Sequence, residues 1–375
     1  MIGVVTTSYP RFPGDPAGNF VASHVAALRA LGHRVEVIAA GDARVAPRDT
    51  HRDTHRDTHG DDAIRVPGAG LFYRGGAPDA LERAPLAAGL AAAAFTVRLT
   101  ATVVARARAR RWDAIIAHWL APSALAALPA ALPLIAIAHG GDVFTLRRLG
   151  LLGATLHALA RRRARLVVVS DELRELARAA APGLAGWLDE AVVQPMGVDL
   201  ARFAAVPRAP STPPTVLVAA RLVPLKGVDV AIAAMRRVRA AAQLVIAGDG
   251  PERSRLTAAA PAAHFLGEVT TDRRDDLLGA ASVVAVPSRI ARGRTEGTPA
   301  IALEALAAGV PVVASAVGGL RALGHLPGVA LVPPDDPHAL AAAIDRTLAQ
   351  PPGAAALRAG VAALDWRAIA PRLLQ

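Results

Sequence analysis

Cysteine is absent from this 375-residue chain, and lysine and asparagine occur once each, as Lys226 and Asn19. Without thiols the chain can form no disulfide framework, no thiolate metal site and no cysteine nucleophile. Aromatic residues amount to 3%, too few for the stacking platforms that hold single-stranded nucleic acid. The formal charge of +11 is therefore not read as a nucleic-acid signal, and no nucleic-acid partner is expected. No basic stretch precedes the apolar run that starts at Ile2, so no cleavable leader is expected and the location is read as cytoplasmic. Trp119–Ala138 is free of charge over the length of a membrane span. Pro122, Pro129 and Pro133 interrupt it, so it reads as a helix followed by a strand.

What is present is apolar material: 53% of the residues are hydrophobic, enough for sizeable cores, and the length suits two domains. The first forty residues read as a strand (Ile2–Thr6), a Pro/Gly loop, a helix and a second strand (Val35–Ala39). Phe20, Val21, His24, Val25, Leu28 and Leu31 form the apolar face of that helix, and Gly32 suits its end. Further strands are expected at Ala114–Ala117, Leu134–Ala138, Leu166–Val169 and Ala191–Val193, then after a gap at Thr215–Ala219, Gln243–Ala247, Ala263–Leu266, Ser282–Val286, Val310–Ala314 and Val329–Val332. Strands alternating with helices predict parallel sheets covered on both faces, here as two tandem doubly wound α/β domains. The boundaries fall at 1–195 and 215–360, joined by a proline-rich linker over 196–214, with a final helical segment at 361–375.

Among 42 basic residues a single lysine survives. A compact ammonium does what a guanidinium fork cannot, which marks Lys226 for a specific contact. Two arginine-rich stretches, Arg98–Arg111 and Arg147–Arg165, contain no acidic residue. They mix arginine with alanine, leucine and valine as basic amphipathic helices do, and predict contact with an anionic membrane surface on the inner face. An Arg-Asp-Thr-His repeat over residues 48–59 spaces His51, His55 and His59 four apart. It reads as a solvated repeat, with a histidine metal face as the lesser alternative, and no metal is assigned.

Thr6-Thr7-Ser8-Tyr9-Pro10 lacks the Gly-x-Gly-x-x-Gly of a dinucleotide site, and the chain has no P-loop, Gly-x-Ser-x-Gly or His-Glu-x-x-His. Two other elements carry chemistry. Arg221 and Lys226-Gly227 follow the strand Thr215–Ala219, at the sheet end where open α/β folds bind ligands, and lead into a helix near Val228. Two cations beside a helix start suit a diphosphate. In Glu296-Gly297-Thr298-Pro299 through Glu304, Thr298 is the expected N-cap and Pro299 the first helical residue, so a helix begins between two carboxylates. Carboxylates there accept hydrogen bonds from sugar hydroxyls, and the free N–H groups suit phosphate oxygens.

These motifs, with Gly248-Asp249-Gly250-Pro251-Glu252 and Phe265-Leu266-Gly267, resemble the nucleotide-binding half of the retaining glycosyltransferases of family 4, of GT-B architecture. The first half is similar too, in Tyr9-Pro10 through Gly18-Asn19-Phe20, Leu31-Gly32-His33, His139-Gly140-Gly141-Asp142, Val169-Ser170 and Pro195-Met196-Gly197-Val198-Asp199. The resemblance implies a cleft between the domains and transfer of a hexose-type sugar from a nucleoside-diphosphate sugar to a glycan or lipid-linked hydroxyl acceptor. No cofactor or metal is implied beyond the sugar nucleotide itself. It implies that Arg221 and Lys226 neutralise the diphosphate, that Glu304 takes the ribose and Glu296 the sugar hydroxyls, and that Gly250, Gly297 and Thr298 line the donor site. His139 falls near the donor sugar and acceptor, Gly18 and Asn19 line the acceptor side, and Asp142 holds its own loop through backbone hydrogen bonds. Asn19 stands where many members have a second glycine. A GT-B epimerase and a non-catalytic sugar-nucleotide or membrane-binding protein are the rival readings.

Overall fold

The computed structural model describes residues 1–41, 63–73, 80–81 and 84–375, so the 48–59 repeat lies outside the described residues. The chain divides into two compact units: Met1–Gln194 with Ala370–Gln375, and Pro195–Ile369.

In unit 1, seven parallel strands run in the order β3-β2-β1-β4-β5-β6-β7. They are β1 (Ile2–Thr6), β2 (Val35–Ala40), β3 (Ala63–Val66), β4 (Ala114–His118), β5 (Leu134–Ala138), β6 (Arg165–Val168) and β7 (Val192–Val193). Val4 of β1 pairs with Val37 on one side and Ile116 on the other. β1, β4 and β5 are buried almost end to end, the pattern of strands covered on both faces. The edge strand β3 was not anticipated. It is four residues long and mostly half-buried, so it carries neither a long apolar run nor alternation.

Unit 2 repeats the plan with six parallel strands, ordered β10-β9-β8-β11-β12-β13: β8 (Thr215–Ala219), β9 (Gln243–Ala247), β10 (His264–Gly267), β11 (Val283–Val286), β12 (Val312–Ser315) and β13 (Val329–Val332). Val216, Leu244, Ile246, Val283 and Val313 meet Ile232, Leu340 and Ile344 in its core. In both sheets the strand order reverses beside the first strand, between β1 and β4 and between β8 and β11. Such a reversal opens a crevice at the carboxyl ends, the usual ligand position of this architecture.

The uncharged Trp119–Ala138 stretch is a broken helical segment, Leu120–Ala130, followed by β5, as expected. One continuous helix, Pro85–Arg110, is long and apolar enough to cross a membrane. It lies on unit 1 through Ala88, Phe95, Leu99, Val103 and Ala107, spaced to make one buried stripe. Its other side exposes Leu86, Leu90 and Val97. Arg106 and Arg110 are paired, contrary to the sequence expectation: both reach Glu36 of β2, an acid brought in by the sheet and not by neighbouring sequence. Residues 196–214 also differ from a free linker. Asp199 caps the helix Leu200–Ala204, Phe203 is buried, and the Arg208 guanidinium donates to the carbonyls of Leu278, Gly279 and Ala281 at 2.8, 3.0 and 2.8 Å.

Candidate functional site

In unit 2 the loop leaving β8 carries exposed Arg221, then a single turn Pro224–Lys226 and Gly227. Gly227 has φ +59°, and a Cβ there would lie 2.0 Å from the Pro287 carbonyl oxygen. Only glycine lets this loop lie against the segment leaving β11. Arg289 N–H donates to the Leu225 carbonyl at 2.9 Å, closing the same seam. Across it, Lys226 Nζ stands 2.6 Å from Glu296 Oε1, which also accepts from Ser288 Oγ at 3.1 Å. The two residues assigned to different parts of a donor are therefore each other's partner in this structure.

Gly250 draws the loop after β9 against the loop after β8: a Cβ there would stand 2.4 Å from the Leu222 oxygen, and Leu222 N–H donates to Asp249 O at 2.9 Å. Beneath Glu296 lie Gly318 and Gly319. Their added Cβ atoms would sit 2.2 Å from the carbonyl oxygens of Glu296 and Gly297 respectively, and Gly319 N–H donates to Glu296 O.

The helix Ala300–Ala307 starts one residue later than expected, with Pro299 as N-cap in extended conformation and no side-chain cap. Buried Thr298 precedes it, and a residue before proline is held out of the α region. The helix does begin between the two carboxylates. Glu304 does not stand open beside its start. It is buried among Ala302–Ala307 and lies 3.3 Å from Arg274 Nη1, and burial raises its pKa against the opposing pull of Arg274. Arg202 and Asp275, paired at 2.7 Å, extend this buried network. The sequence puts Glu304 in the second turn of the helix, leaning back toward its start, but a helix with Ala302–Ala307 all buried turns it inward.

In unit 1 the loop leaving β1 ends at Gly18, which is buried, left-handed at φ +68°, and would place a Cβ 2.3 Å from Ser8 O. Gly18 thus serves the turn into the helix Asn19–Ala30. Asn19 opens that helix, and its Nδ2 is buried without a hydrogen-bond partner. Asp15 steadies the loop by accepting from Arg11 Nε at 2.6 Å and Ala17 N–H at 3.1 Å.

β4 ends at His118, and the next residue, Trp119, has φ +71°, a strained value for a bulky side chain. His139 follows β5. Asp142 is buried and uses both oxygens on backbone, accepting from Leu120 N–H at 2.7 Å, Gly140 N–H at 3.0 Å and His139 N–H at 3.1 Å. It ties the β4 and β5 loops together, the structural part expected of it. Phe20 and Trp119 flank the His139 ring, with centroids 5.3 and 4.9 Å away. His139 Nε2 lies 3.0 Å from His118 Nδ1, and His118 Nε2 lies 3.1 Å from His24 Nδ1. Burial lowers His24 and His139 to about 3 and His118 well below 6.5, so all three rings are neutral at pH 7.

Of the residues singled out from sequence, the fold gathers Lys226, Glu296, Gly297 and Thr298 about the β8 and β11 ends, with Gly250 on the adjoining loop after β9, and sets His139 at the end of β5 in unit 1, one strand beyond the counterpart of β11. His118, Phe20 and Trp119 carry no mark of a site in the sequence, where His24 belongs to the apolar face of its helix. A histidine on the apolar face of a helix was the available signal. Among the described residues no group of three or more His, Asp or Glu is placed to hold a metal ion.

Residues 213–350 match the model of the glycosyl transferases group 1, and residues 17–202 that of glycosyltransferase family 4. A glycogen synthase of Mycobacterium tuberculosis is 35% identical over 225 residues, 55% of this chain and 51% of that protein. A GDP-mannose-dependent monoacylated alpha-(1-6)-phosphatidylinositol monomannoside mannosyltransferase of Corynebacterium glutamicum is 39% identical over 145 residues, 33% of this chain and 38% of the relative. The chain spans about half the length of the curated relatives it matches, or less. The Anabaena protein HepE, solved in complex with UDP-glucose, shares the fold: TM-score 0.67 at 20% identity, covering 100% of this chain and 98% of that one.

Proposed function

The chain belongs to the group 1, family 4 glycosyltransferases, and on that premise we propose that it transfers a hexose-type sugar, with retention, from a nucleoside-diphosphate sugar to a hydroxyl acceptor in glycan or glycolipid synthesis. The observation that carries this reading is the seam at the ends of β8 and β11, where the chain's one lysine meets Glu296 at 2.6 Å. An ammonium and a carboxylate held at one seam suit a ligand with both a diphosphate and sugar hydroxyls. Arg221 and Lys226 neutralise the diphosphate, and Glu296, released from Lys226, accepts from the sugar hydroxyls. The helix Ala300–Ala307 adds its N-terminal dipole to the charge that develops as the diphosphate leaves. Glu304 takes the ribose once Arg274 lets it turn outward. Gly250, Gly297 and Thr298 shape the donor side, while Gly18 and Asn19 belong to the acceptor side with His139. With the chain's own cations on the leaving group, no divalent metal or other cofactor is needed.

We assign a lipid-linked or membrane-proximal acceptor, the protein resting on the inner leaflet from the cytoplasm. Support comes from Leu86, Leu90 and Val97, exposed at 84, 74 and 69% on the helix Pro85–Arg110, with exposed Arg98 and Arg108 further along it. Exposed Arg147, Arg148, Leu149 and Leu151 form a second turn of the same character, and the mannosyltransferase relative is named for a phosphatidylinositol acceptor. Each arginine near an anionic surface contributes about 1 kcal/mol, fading with salt.

The test is release of free nucleoside diphosphate from a panel of sugar nucleotides, with and without acceptor, in chelator. Transfer to the acceptor with the anomeric configuration kept is the expected result. Binding without turnover, or epimerised donor with no transfer, overturns it.

A further inference from the structure

Three elements of unit 1 contribute one imidazole each to an unbroken chain. His24 comes from the helix Asn19–Ala30, His118 is the last residue of β4, and His139 follows β5. We propose that His24 and His118 form a buried tautomer relay that sets whether Nδ1 of His139 donates or accepts a hydrogen bond. Both act through His139 and are positioning residues. This rests on the reading above only in that His139 belongs to the acceptor side of the site.

Proton counting carries the proposal. The contacts of 3.0 and 3.1 Å are hydrogen-bond distances between ring nitrogens, and each needs one hydrogen between two nitrogens. A neutral imidazole owns a single N–H. His118 is engaged on both nitrogens, so if one bond receives its hydrogen the other must receive one from a neighbouring ring. Only two arrangements satisfy both bonds. In the first, His139 Nε2–H donates to His118 Nδ1 and His118 Nε2–H donates to His24 Nδ1, leaving Nδ1 of His139 bare as an acceptor. In the second, every hydrogen sits on Nδ1, and Nδ1–H of His139 is a donor. All three rings therefore carry the same tautomer, and changing one changes all.

The surroundings leave the rings this role. His24 and His118 are wholly buried, where a mismatched pair with two lone pairs or two hydrogens facing each other is costly. A carboxylate often sets the tautomer of a functional histidine. Here Asp142, three residues from His139, spends both oxygens on backbone N–H groups, so the orienting partner is another histidine. A metal site is a different geometry: His118 uses its two nitrogens in opposite directions, and one ion cannot take all three rings.

The experiment is ring ¹⁵N spectroscopy on the whole chain labelled at histidine, with the rings assigned through single His→Gln variants. The expected pattern is one shared tautomer for His24, His118 and His139. Different tautomers within the trio overturn the relay. His24→Phe keeps ring volume and removes both nitrogens. It should shift the His139 ring signals and lower kcat roughly 10–100-fold, the scale seen for partners that orient metal-ligating histidines, with donor KM within about twofold. His24→Asn returns a polar atom near the Nδ1 position and should recover part of that loss. An unchanged His139 spectrum in a folded His24→Phe chain sinks the proposal. A wild-type chain that transfers no sugar sinks the functional reading alone, because the tautomer pattern is read without turnover.

Discussion

At the ends of β4 and β5, unit 1 presents neutral imidazoles and an indole, His118 buried and His139 and Trp119 half-buried, with the nearby carboxylate of Asp142 used up on backbone. At the ends of β8 and β11, unit 2 presents a lysine against a glutamate at 2.6 Å, and behind them Arg274 against Glu304. The strand order is the same, up to one extra strand at the edge. The scaffold therefore fixes where a site forms and leaves its electrostatics open. Neutral rings change hydrogen-bond polarity at little desolvation cost, whereas paired ions hold charge ready for a charged ligand and must exchange partners to take it.

The sharpest way to break this comparison is to remove the ion in unit 2. Lys226→Ala should lose on the order of 2–4 kcal/mol of transition-state stabilisation, read as kcat/KM, with the circular dichroism spectrum kept. Adding Glu296→Gln to it should cost less than the sum of the two single losses, since the residues share one contact. Full turnover by folded Lys226→Ala would remove the lysine from the donor site.

Acid should separate the units next. His24, at 6.5 when unfolded, is lowered to about 3 in the fold. Below pH 6.5 the unfolded chain takes a proton that the folded chain refuses, so the stability it contributes is present above 6.5 and drains away as pH falls toward 3. At pH 5 that loss is about 2 kcal/mol for His24 alone, and His118 acts in the same direction. Burial shifts up both Glu304 in unit 2 and Asp142 in unit 1, so their contributions have the opposite sign: stability is lost as pH rises from the ordinary carboxylate range through each raised value. Hydrogen exchange followed at pH 7.5 and 5.5, corrected for intrinsic rates, should show β1, β4 and β5 losing protection relative to β8 and β11. Equal change in both sets would contradict the dry-histidine picture.

Glycine substitutions sharpen the comparison further. Gly18→Ala and Gly318→Ala each force a left-handed residue against a carbonyl oxygen at 2.3 and 2.2 Å. Each should destabilise its own unit by roughly 1–3 kcal/mol, measured by urea unfolding. The Gly318 variant should also weaken binding of the donor, because the oxygen it meets belongs to Glu296. Smallest on stability is Leu86→Ser with Leu90→Ser. These exposed positions should move the unfolding free energy by no more than about 0.5 kcal/mol while reducing co-sedimentation with anionic vesicles at low salt. Unchanged vesicle binding would leave a soluble acceptor as the better reading.

Much of this was legible beforehand, for reasons that differ by residue. Buried parallel strands announce themselves as short Val/Ile/Ala runs, which is why β1, β5, β8, β9 and β13 fall where expected. Lys226 stood out by composition, and the Glu296–Glu304 spacing did bracket a helix start. What escaped depends on residues distant in sequence. Glu36 pairs with Arg106 and Arg110 only because β2 lies beside that helix's end. Glu304 turns to Arg274, thirty positions upstream, because its own helix has no open side there. His24 looked like one more apolar-face residue, and only the adjacency of β1 and β4 brings it to His118.

The two glycines beneath Glu296 bear on how such proteins can be altered. Because the carbonyl oxygens of Glu296 and Gly297 rest where side chains at 318 and 319 would be, the segment 288–298 keeps its shape only above that bare turn. If Glu296 binds the donor as proposed, exchanging donor preference between members would require moving both stretches as one cassette. A graft of the upper loop alone onto a host with larger residues below would arrive with its carboxylate aimed elsewhere.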